Sequence, residues 1–144
     1  MHYKHTQIGY LILFILLAVT LLFGVVLEDT ETDLVILVFM PIILFIVASF
    51  SSLNVMVDEN YLRIKFGYGI FRKKFLLDEI ASAKVVKNHW YYGWGIRLWM
   101  FPKMWIYNVS GFDAVEIIMK DGKRYRIGTD EPQRLEQAII RAIK

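Results

Sequence analysis

Two long uncharged runs dominate the sequence and limit the ways in which it can fold. Ile8–Leu27 and Leu34–Leu53 each contain 20 residues without a charge, and six residues separate them. A helix of about 20 residues is about 30 Å long, which matches the hydrocarbon thickness of a bilayer. Neither run has the polar stripe that a helix on the surface of a soluble protein shows. We therefore predict two transmembrane helices, the second capped by Asp33 and kinked at Pro41.

A cleaved signal peptide is the competing interpretation of the first apolar run. The run is longer than the apolar region of a signal peptide, and no small-residue cleavage site lies between it and the acidic residues. A second apolar run also follows at once. We therefore expect the first run to be retained as a membrane anchor.

The distribution of charge predicts the orientation of the two helices. Four acidic residues and no basic ones lie in the connecting segment 28–33, whereas Lys4 precedes the first run and Arg63 and Lys65 follow the second. The positive-inside rule then places both termini in the cytoplasm and the turn outside. Residues 54–144 contain 16 Lys or Arg and 10 Asp or Glu, which favours acidic lipid head groups over nucleic acid as a partner.

After residue 53 the hydrophobic pattern changes to the alternation that is typical of strands. Leu62, Ile64 and Phe66 alternate with Arg63 and Lys65, which predicts a half-buried strand with a basic outer face. Further strands are predicted at Val55–Val57, Ile70–Leu77 and Ile80–Lys87, with turns at Asp58–Asn60 and Gly67–Gly69.

The segment Asp113–Thr129 predicts a hairpin that turns at Asp121 and Gly122. A two-residue turn would place apolar and basic side chains on the same face. A three-residue turn, with Gly122 left-handed in a bulge, corrects the register. The pairs expected from the bulged turn are Val115 with Ile127, Ile117 with Tyr125, and Glu116 with Arg126.

The chain is predicted to end in an amphipathic helix capped by Asp130, with Gln133 at the position of a capping-box partner. Its apolar stripe recurs at helical spacing and consists of Leu135, Ala138, Ile139, Ala142 and Ile143. Short strands followed by one helix indicate a small antiparallel sandwich or open barrel, with the helix at its mouth or edge. We therefore expect a transmembrane hairpin in residues 1–53 and a cytoplasmic all-β domain with this helix in residues 54–144.

The segment 88–112 contains all four tryptophans of the chain. We expect Trp90, Trp94 and Tyr107 to lie in the core. The stretch Trp99–Trp105, which includes Phe101 and Lys103, predicts an apolar tip that enters the cytoplasmic leaflet or contacts a partner. The alternative is that this stretch packs in the fold. Arg97 either pairs with an acidic residue of the fold or faces an anionic ligand.

Residues 53–144 resemble the bacterial PH-like domains, relatives of pleckstrin homology domains, and the whole chain resembles small bacterial membrane proteins with a transmembrane hairpin ahead of such a domain. The resemblance lies in Trp94–Arg97, Tyr107–Gly111, Asp113–Glu116 and Gly122–Pro132. It implies two orthogonal antiparallel sheets of about seven strands with a C-terminal helix. It implies binding rather than chemistry, since PH-like scaffolds bind lipids, peptides and proteins alike.

No motif of an enzyme or of a cofactor site is present in the sequence. The chain has no cysteine, and its three histidines, His2, His5 and His89, lack the spacing of metal ligands. We therefore expect a non-enzymatic binding module in the bacterial inner membrane, without metal or cofactor, that binds anionic lipid or a protein partner. The alternative is a structural subunit that oligomerises or assembles with other membrane proteins. The expected binding residues are Arg63, Lys65, Arg72, Lys73, Lys74, Arg97, Trp99, Phe101, Lys103 and Trp105.

Overall fold

The computed structural model describes residues 3–29, 31, 33–92, 94–100 and 103–143. Two helices form an apolar hairpin, two β-sheets enclose a common core, and a third helix packs against the sheets. The helices are α1 (Tyr10–Leu27), α2 (Leu34–Ala48) and α3 (Pro132–Ala142).

The first sheet has four antiparallel strands that are neighbours in the order β1-β2-β3-β4. These strands are β1 (Tyr3–Ile8), β2 (Ser52–Val57), β3 (Tyr61–Phe66) and β4 (Arg72–Leu76). The predicted strands at 55–57 and 62–66 and the turns after them are confirmed, whereas the strand predicted at Ile70–Leu77 is shorter at both ends. Strand β1 was not predicted, since the sequence analysis assigned no strand before the first apolar run.

The second sheet has five strands in the order β5-β8-β9-β7-β6. Its strands are β5 (Ile80–Lys87), β6 (Gly95–Met100), β7 (Lys103–Asn108), β8 (Asp113–Met119) and β9 (Arg124–Gly128). All pairs are antiparallel except β7 and β9, which run parallel. The expectation of about seven strands, all antiparallel, is therefore wrong: the described residues form nine strands, and one pair is parallel.

The helical hairpin is inserted between two paired strands rather than placed ahead of the β-rich part. Strand β1 pairs with β2 along its whole length, from Tyr3 opposite Val57 to Ile8 opposite Ser52. A hydrogen bond from the Gly9 amide to the Ser51 carbonyl, at 2.8 Å, continues the pairing to the start of α1. The sheet therefore includes residues on both sides of the hairpin, and the expected boundary at residue 53 does not separate the two parts.

Both helices are shorter than the predicted 20-residue spans. Helix α1 has 18 residues, a mean hydropathy of 3.0 and only 6% of its residues buried, and it is the one helix of the described residues that meets the length and hydropathy of a membrane span. Helix α2 is also apolar but has 15 residues. Ile8 lies in β1, and the apolar residues after Ala48 form a turn and then β2. As predicted, Asp33 caps α2, accepting a hydrogen bond from the Val35 amide at 3.0 Å.

The two sheets share one hydrophobic core. The inward side chains of β2 and β3 are almost completely buried, and they face those of β8 and β9. Aromatic rings connect the sheets: Phe75 of β4 lies 4.7 Å from the Tyr125 ring, and Phe66 of β3 lies 6.4 Å from the Tyr107 ring. The basic residues of β3 are left on the outer face of the first sheet, as predicted.

The bulged hairpin between β8 and β9 is confirmed. Val115 pairs with Ile127, Ile117 with Tyr125, and Glu116 with Arg126. Gly122 has a φ of +89°, which is the left-handed conformation that the bulged turn requires.

The predicted apolar stripe of α3 is also confirmed, since Leu135 and Ile139 are completely buried. The helix packs on β5, β8 and β2, and the Glu136 carboxylate accepts a hydrogen bond from the Val85 amide of the edge strand β5. The prediction that Asp130 caps α3 is wrong. The N-cap is Glu131, because Pro132 occupies the first turn.

The Asp130 carboxylate instead lies 2.5 Å from the His5 ring, and the Tyr3 hydroxyl donates a hydrogen bond to Glu131 at 3.1 Å. These contacts fasten β1 to the start of α3, so His5 is part of the fold rather than of a loose terminus. Burial and the Glu131 carboxylate raise the pKa of Tyr3 above its ordinary value. His2 lies outside the described residues.

Two glycine substitutions test the turns on which this architecture depends. Gly122→Ala forces alanine into a positive φ but meets open space, so we expect a loss of about 1–2 kcal/mol. Gly67→Ala combines a φ of +50° with a Cβ only 2.5 Å from the Ser49 carbonyl oxygen at the end of α2, which adds roughly another 1–3 kcal/mol of strain. Urea unfolding of both variants in detergent measures the difference. Equal losses would contradict the close contact between the β3–β4 turn and α2.

Candidate functional site

Five cations project from the outer face of the first sheet in two rows. Cross-strand register places Lys4, Arg63 and Lys74 in one row, together with Met56. The other row contains Lys65 and Arg72, together with Thr6 and Asn54. Strand geometry separates the two rows by about 7 Å. We call this set the basic face: Lys4, Arg63, Lys65, Arg72 and Lys74.

Acidic residues neutralise little of the basic face. Arg63 lies 3.4 Å from the Asp58 carboxylate. Within the described part of the chain, no carboxylate lies within ion-pair distance of the other four cations. The Tyr61 ring orders two of the cations, with the Lys74 ammonium 4.4 Å and the Arg63 guanidinium carbon 5.2 Å from its centre.

A shallow groove of about 480 Å³ crosses the basic face. The side chains of Asn54 and Met56 lie in its lining between the cations, and Asn54 donates a hydrogen bond to the Thr6 hydroxyl at 2.6 Å. Six cationic residues line the groove, namely the five of the basic face and Lys73, together with the apolar Met56 and Ile64. An arrangement of this kind suits a phosphate-bearing surface better than a small apolar ligand.

Lys73 does not belong to the basic face, although its neighbours on both sides do. It pairs with Ile64, a buried residue of β3, so its side chain is directed to the inner side of the sheet. Its ammonium lies 5.8 Å from the Phe75 ring and 5.9 Å from the Tyr125 ring. The alternation of side chains along β4 thus separates Lys73 from Arg72 and Lys74.

One end of the basic face adjoins the helical hairpin. Ile8 and Ser52 are the last pair of β1 and β2, and α1 begins two residues after Ile8. The turn after β3 reaches back to α2, where the Tyr68 hydroxyl donates a hydrogen bond to the Phe45 carbonyl and the two rings lie 5.1 Å apart. Exposed aromatic side chains surround this junction, and we call them the collar: Tyr10, Tyr68 and Phe112.

The described residues of the aromatic tip predicted to enter the membrane lie on β6 and β7 of the second sheet. Gly95, at the start of β6, is close to Phe50 at the junction, and Val109 after β7 contacts Gly9. Strands β6 and β7 run away from the junction to the pair Met100 and Lys103. Six strand residues extend about 17–20 Å. The described tip residues Trp99, Met100 and Lys103 therefore lie at the end of these strands that is farther from the junction.

The tryptophans differ in burial from the prediction. Tyr107 is buried and Trp94 is half-buried, but Trp90 is 75% exposed, so its assignment to the core is wrong. A second, smaller core lies on the outer face of β6 and β7, where Trp99 contacts the rings of Tyr91 and Tyr92 beside Met104 and Ile106. Burial raises the pKa of the Tyr107 hydroxyl to about 12, and the nearby Tyr125 adds to the shift.

The structure thus divides the predicted binding residues between the two sheets. Arg63, Lys65, Arg72 and Lys74 come together on the first sheet, joined by Lys4, which the sequence analysis did not select. The other described residues lie on β6 and β7 of the second sheet: Arg97, Trp99, Lys103 and Trp105. Phe101 lies outside the described residues. The described residues contain no group of three or more acidic or histidine side chains that could hold a metal ion.

No protein-family model matches the chain, and no curated protein matches it. The functional interpretation therefore depends on the arrangement of the side chains.

Substitutions at two aromatic residues test their assignment to core and surface. Tyr107→Ala removes a buried ring that contacts Phe66, Phe75 and Tyr125, so we expect a loss of about 3–5 kcal/mol. Trp90→Ala removes an exposed ring and should change the stability by roughly 0.5 kcal/mol or less. Urea unfolding followed by near-ultraviolet circular dichroism measures both. A loss at Trp90 as large as that at Tyr107 would show that the Trp90 ring itself packs in the core.

Proposed function

We propose that this protein is a membrane-anchored, non-enzymatic binding module whose basic face engages anionic lipid head groups. One observation carries the proposal: five largely unneutralised cations lie on a single sheet face that is joined without a linker to an apolar helical hairpin. A cluster of cations that is tethered beside a bilayer already lies close to anionic head groups. Binding therefore does not cost the translational entropy that a protein free in solution would lose.

The distances of the two rows of cations from the hydrocarbon of the bilayer support lipid head groups as the ligand. At 1.5 Å per residue, α1 is about 27 Å long and α2 about 23 Å, both shorter than the roughly 30 Å of bilayer hydrocarbon. The shortfall draws the collar into the membrane interface, where aromatic residues are favourable. Lys65 and Arg72 then lie about 7 Å beyond Ile8, within the head-group layer.

The row of Lys4, Arg63 and Lys74 lies about 7 Å farther from the hydrocarbon. This distance is close to the Debye length of about 8 Å at physiological ionic strength, so these cations feel the surface potential in weakened form. A basic residue near an anionic surface contributes about 1 kcal/mol. We therefore expect Lys65 and Arg72 to contribute most of the affinity, and the farther row to contribute less per residue.

We further propose that both helices cross a bacterial inner membrane, with the β-rich part in the cytoplasm. The acidic segment between the helices and the basic residues beside their other ends support this orientation. Hairpin association assists the shorter helix, since α1 and α2 pack against each other.

A relation to PH-like domains is part of the proposal. Two sheets around a common core and an amphipathic C-terminal helix support it. The strand β1 ahead of the hairpin and the parallel pair of β7 and β9 depart from the expected pattern. A lipid-binding role does not depend on this relation, since it follows from the cations and their position.

Charge removal in the nearer row tests the proposal. We expect Lys65→Gln with Arg72→Gln to lower the preference for phosphatidylglycerol over phosphatidylcholine by about 2 kcal/mol, because two cations leave the head-group layer. The measurement is the electron paramagnetic resonance of spin-labelled lipids around the full chain in mixed vesicles. The matched control, Lys120→Gln with Lys123→Gln, removes two charges from the β8–β9 turn and should leave the preference unchanged.

Ionic strength separates lipid binding from the alternative of a structural subunit. At 1 M salt the Debye length falls to about 3 Å, so the lipid preference should largely disappear. Equal preferences in the wild type and the Lys65, Arg72 variant at low salt would contradict the proposed function.

A further inference from the structure

The free edge of the second sheet has the features of a docking site for another protein. In the described part of the chain, β6 has a strand neighbour on one side only, β7. The opposite edge strand, β5, is covered by α3, and the Glu136 carboxylate satisfies the Val85 amide. An uncovered edge strand is a template for pairing with another extended segment.

We propose that β6 binds an extended segment of a partner protein in which apolar and acidic residues alternate, adding it to the sheet as a sixth strand. The alternation follows from the two faces of β6. Ile96, Leu98 and Met100 lie on one face, and Arg97 lies on the other beside the half-buried Trp99. A strand paired with β6 places its own alternate residues opposite each of these sets.

The apolar face of β6 is available to such a segment. Leu98 is 42% exposed, Met100 is 56% exposed, and Trp105, which pairs with Leu98 from β7, is 40% exposed. The aromatic rings of the first sheet reach Tyr107 and Tyr125 but leave these three side chains uncovered. Apolar side chains of an added strand would bury this surface.

The positive charge on β6 indicates that the partner segment is acidic. Residues 80–112 contain no Asp or Glu, so the exposed Arg97 has no acidic neighbour along this stretch of chain. Lys103 is also exposed, but it pairs with Met100 and therefore lies on the face of Leu98 and not on that of Arg97. Acidic side chains opposite Arg97 would complete a cross-strand pair of opposite charges.

A second copy of this chain does not fit the edge in the same membrane. Strand β6 runs from Gly95 near the helical hairpin to Met100 far from it. Antiparallel pairing of two β6 strands requires a two-fold axis perpendicular to the strands, which points the two hairpins in opposite directions when β6 stands upright on the membrane. The exclusion of a second copy rests on the proposed membrane anchoring. The apolar and charged faces of β6 are features of the fold and do not depend on that anchoring.

A charge-swap experiment tests the proposal on the full chain in an uncharged detergent. The probe is a fluorescein-labelled seven-residue peptide of alternating valine and glutamate, compared by anisotropy with its valine and lysine counterpart. We expect the wild type to bind the glutamate peptide at least tenfold more tightly, and Arg97→Glu to reverse the preference. The matched control Lys84→Glu lies on the covered edge strand β5 and should keep the wild-type preference.

A second variant tests the apolar face independently of charge on Arg97. Leu98→Gln places an uncharged polar side chain on the exposed apolar face and should weaken glutamate-peptide binding at least fivefold, with an unchanged circular dichroism spectrum. Equal binding of the two peptides by the wild type, or an unchanged preference in Arg97→Glu, would overturn the proposal. Dimerisation of the wild type that Leu98→Gln abolishes would also overturn it, by assigning the edge to a second copy. All of these peptide-binding measurements are made in detergent without lipid. A negative result would therefore not contradict the proposed lipid binding.

Discussion

The pairing of β1 with β2 is the constraint on which the rest of the structure depends. It joins residues on the two sides of the apolar hairpin, so the start of α1 and the end of α2 are held beside each other. The helices consequently emerge from the sheet directly, with Gly9 before one and a short turn after the other. A sheet held in this way cannot move freely relative to its helices, because the connections are too short.

This direct connection holds the basic residues at a fixed distance from the helical hairpin. Five cations on an exposed sheet face contribute little to stability and have no special role on a freely diffusing protein. Fixed about 7–14 Å from the end of an apolar hairpin, the same residues lie where anionic head groups would be. The position of the collar at the junction and of the aromatic tip at the far end gives the two ends of the β-rich part different surroundings. We therefore propose lipid contact for the first sheet and contact with a soluble partner for the edge of the second.

The sequence predicted the features that local pattern determines. Alternation predicted β3 and its basic face, and the requirement that buried residues share one face selected the bulged turn at Gly122 correctly. Helical periodicity predicted the buried stripe of α3. These predictions succeeded because each element carries its own hydrophobic pattern.

Non-local contacts account for the features that the sequence did not reveal. Strand β1 has no apolar alternation, since its most buried residue is Gln7, which donates a hydrogen bond to the distant Ser110 carbonyl at 3.1 Å. Lys4 was missed as a site residue for this reason. Hydrophobicity alone also could not locate the end of α2, because Ser52 and Leu53 pair with other strands despite following an apolar run.

The most direct test of the account is the depth of single spin labels on the full chain in phosphatidylglycerol-containing vesicles. The absence of native cysteine allows each label to be introduced at one cysteine substitution, here at Tyr68, Lys65 and Leu98. Oxygen and nickel-chelate accessibility should place Tyr68 at the hydrocarbon boundary, Lys65 in the head-group layer and Leu98 in water. A label at Leu98 that lies as deep as the one at Tyr68 would contradict the account, because the second sheet would then face the membrane instead of the first.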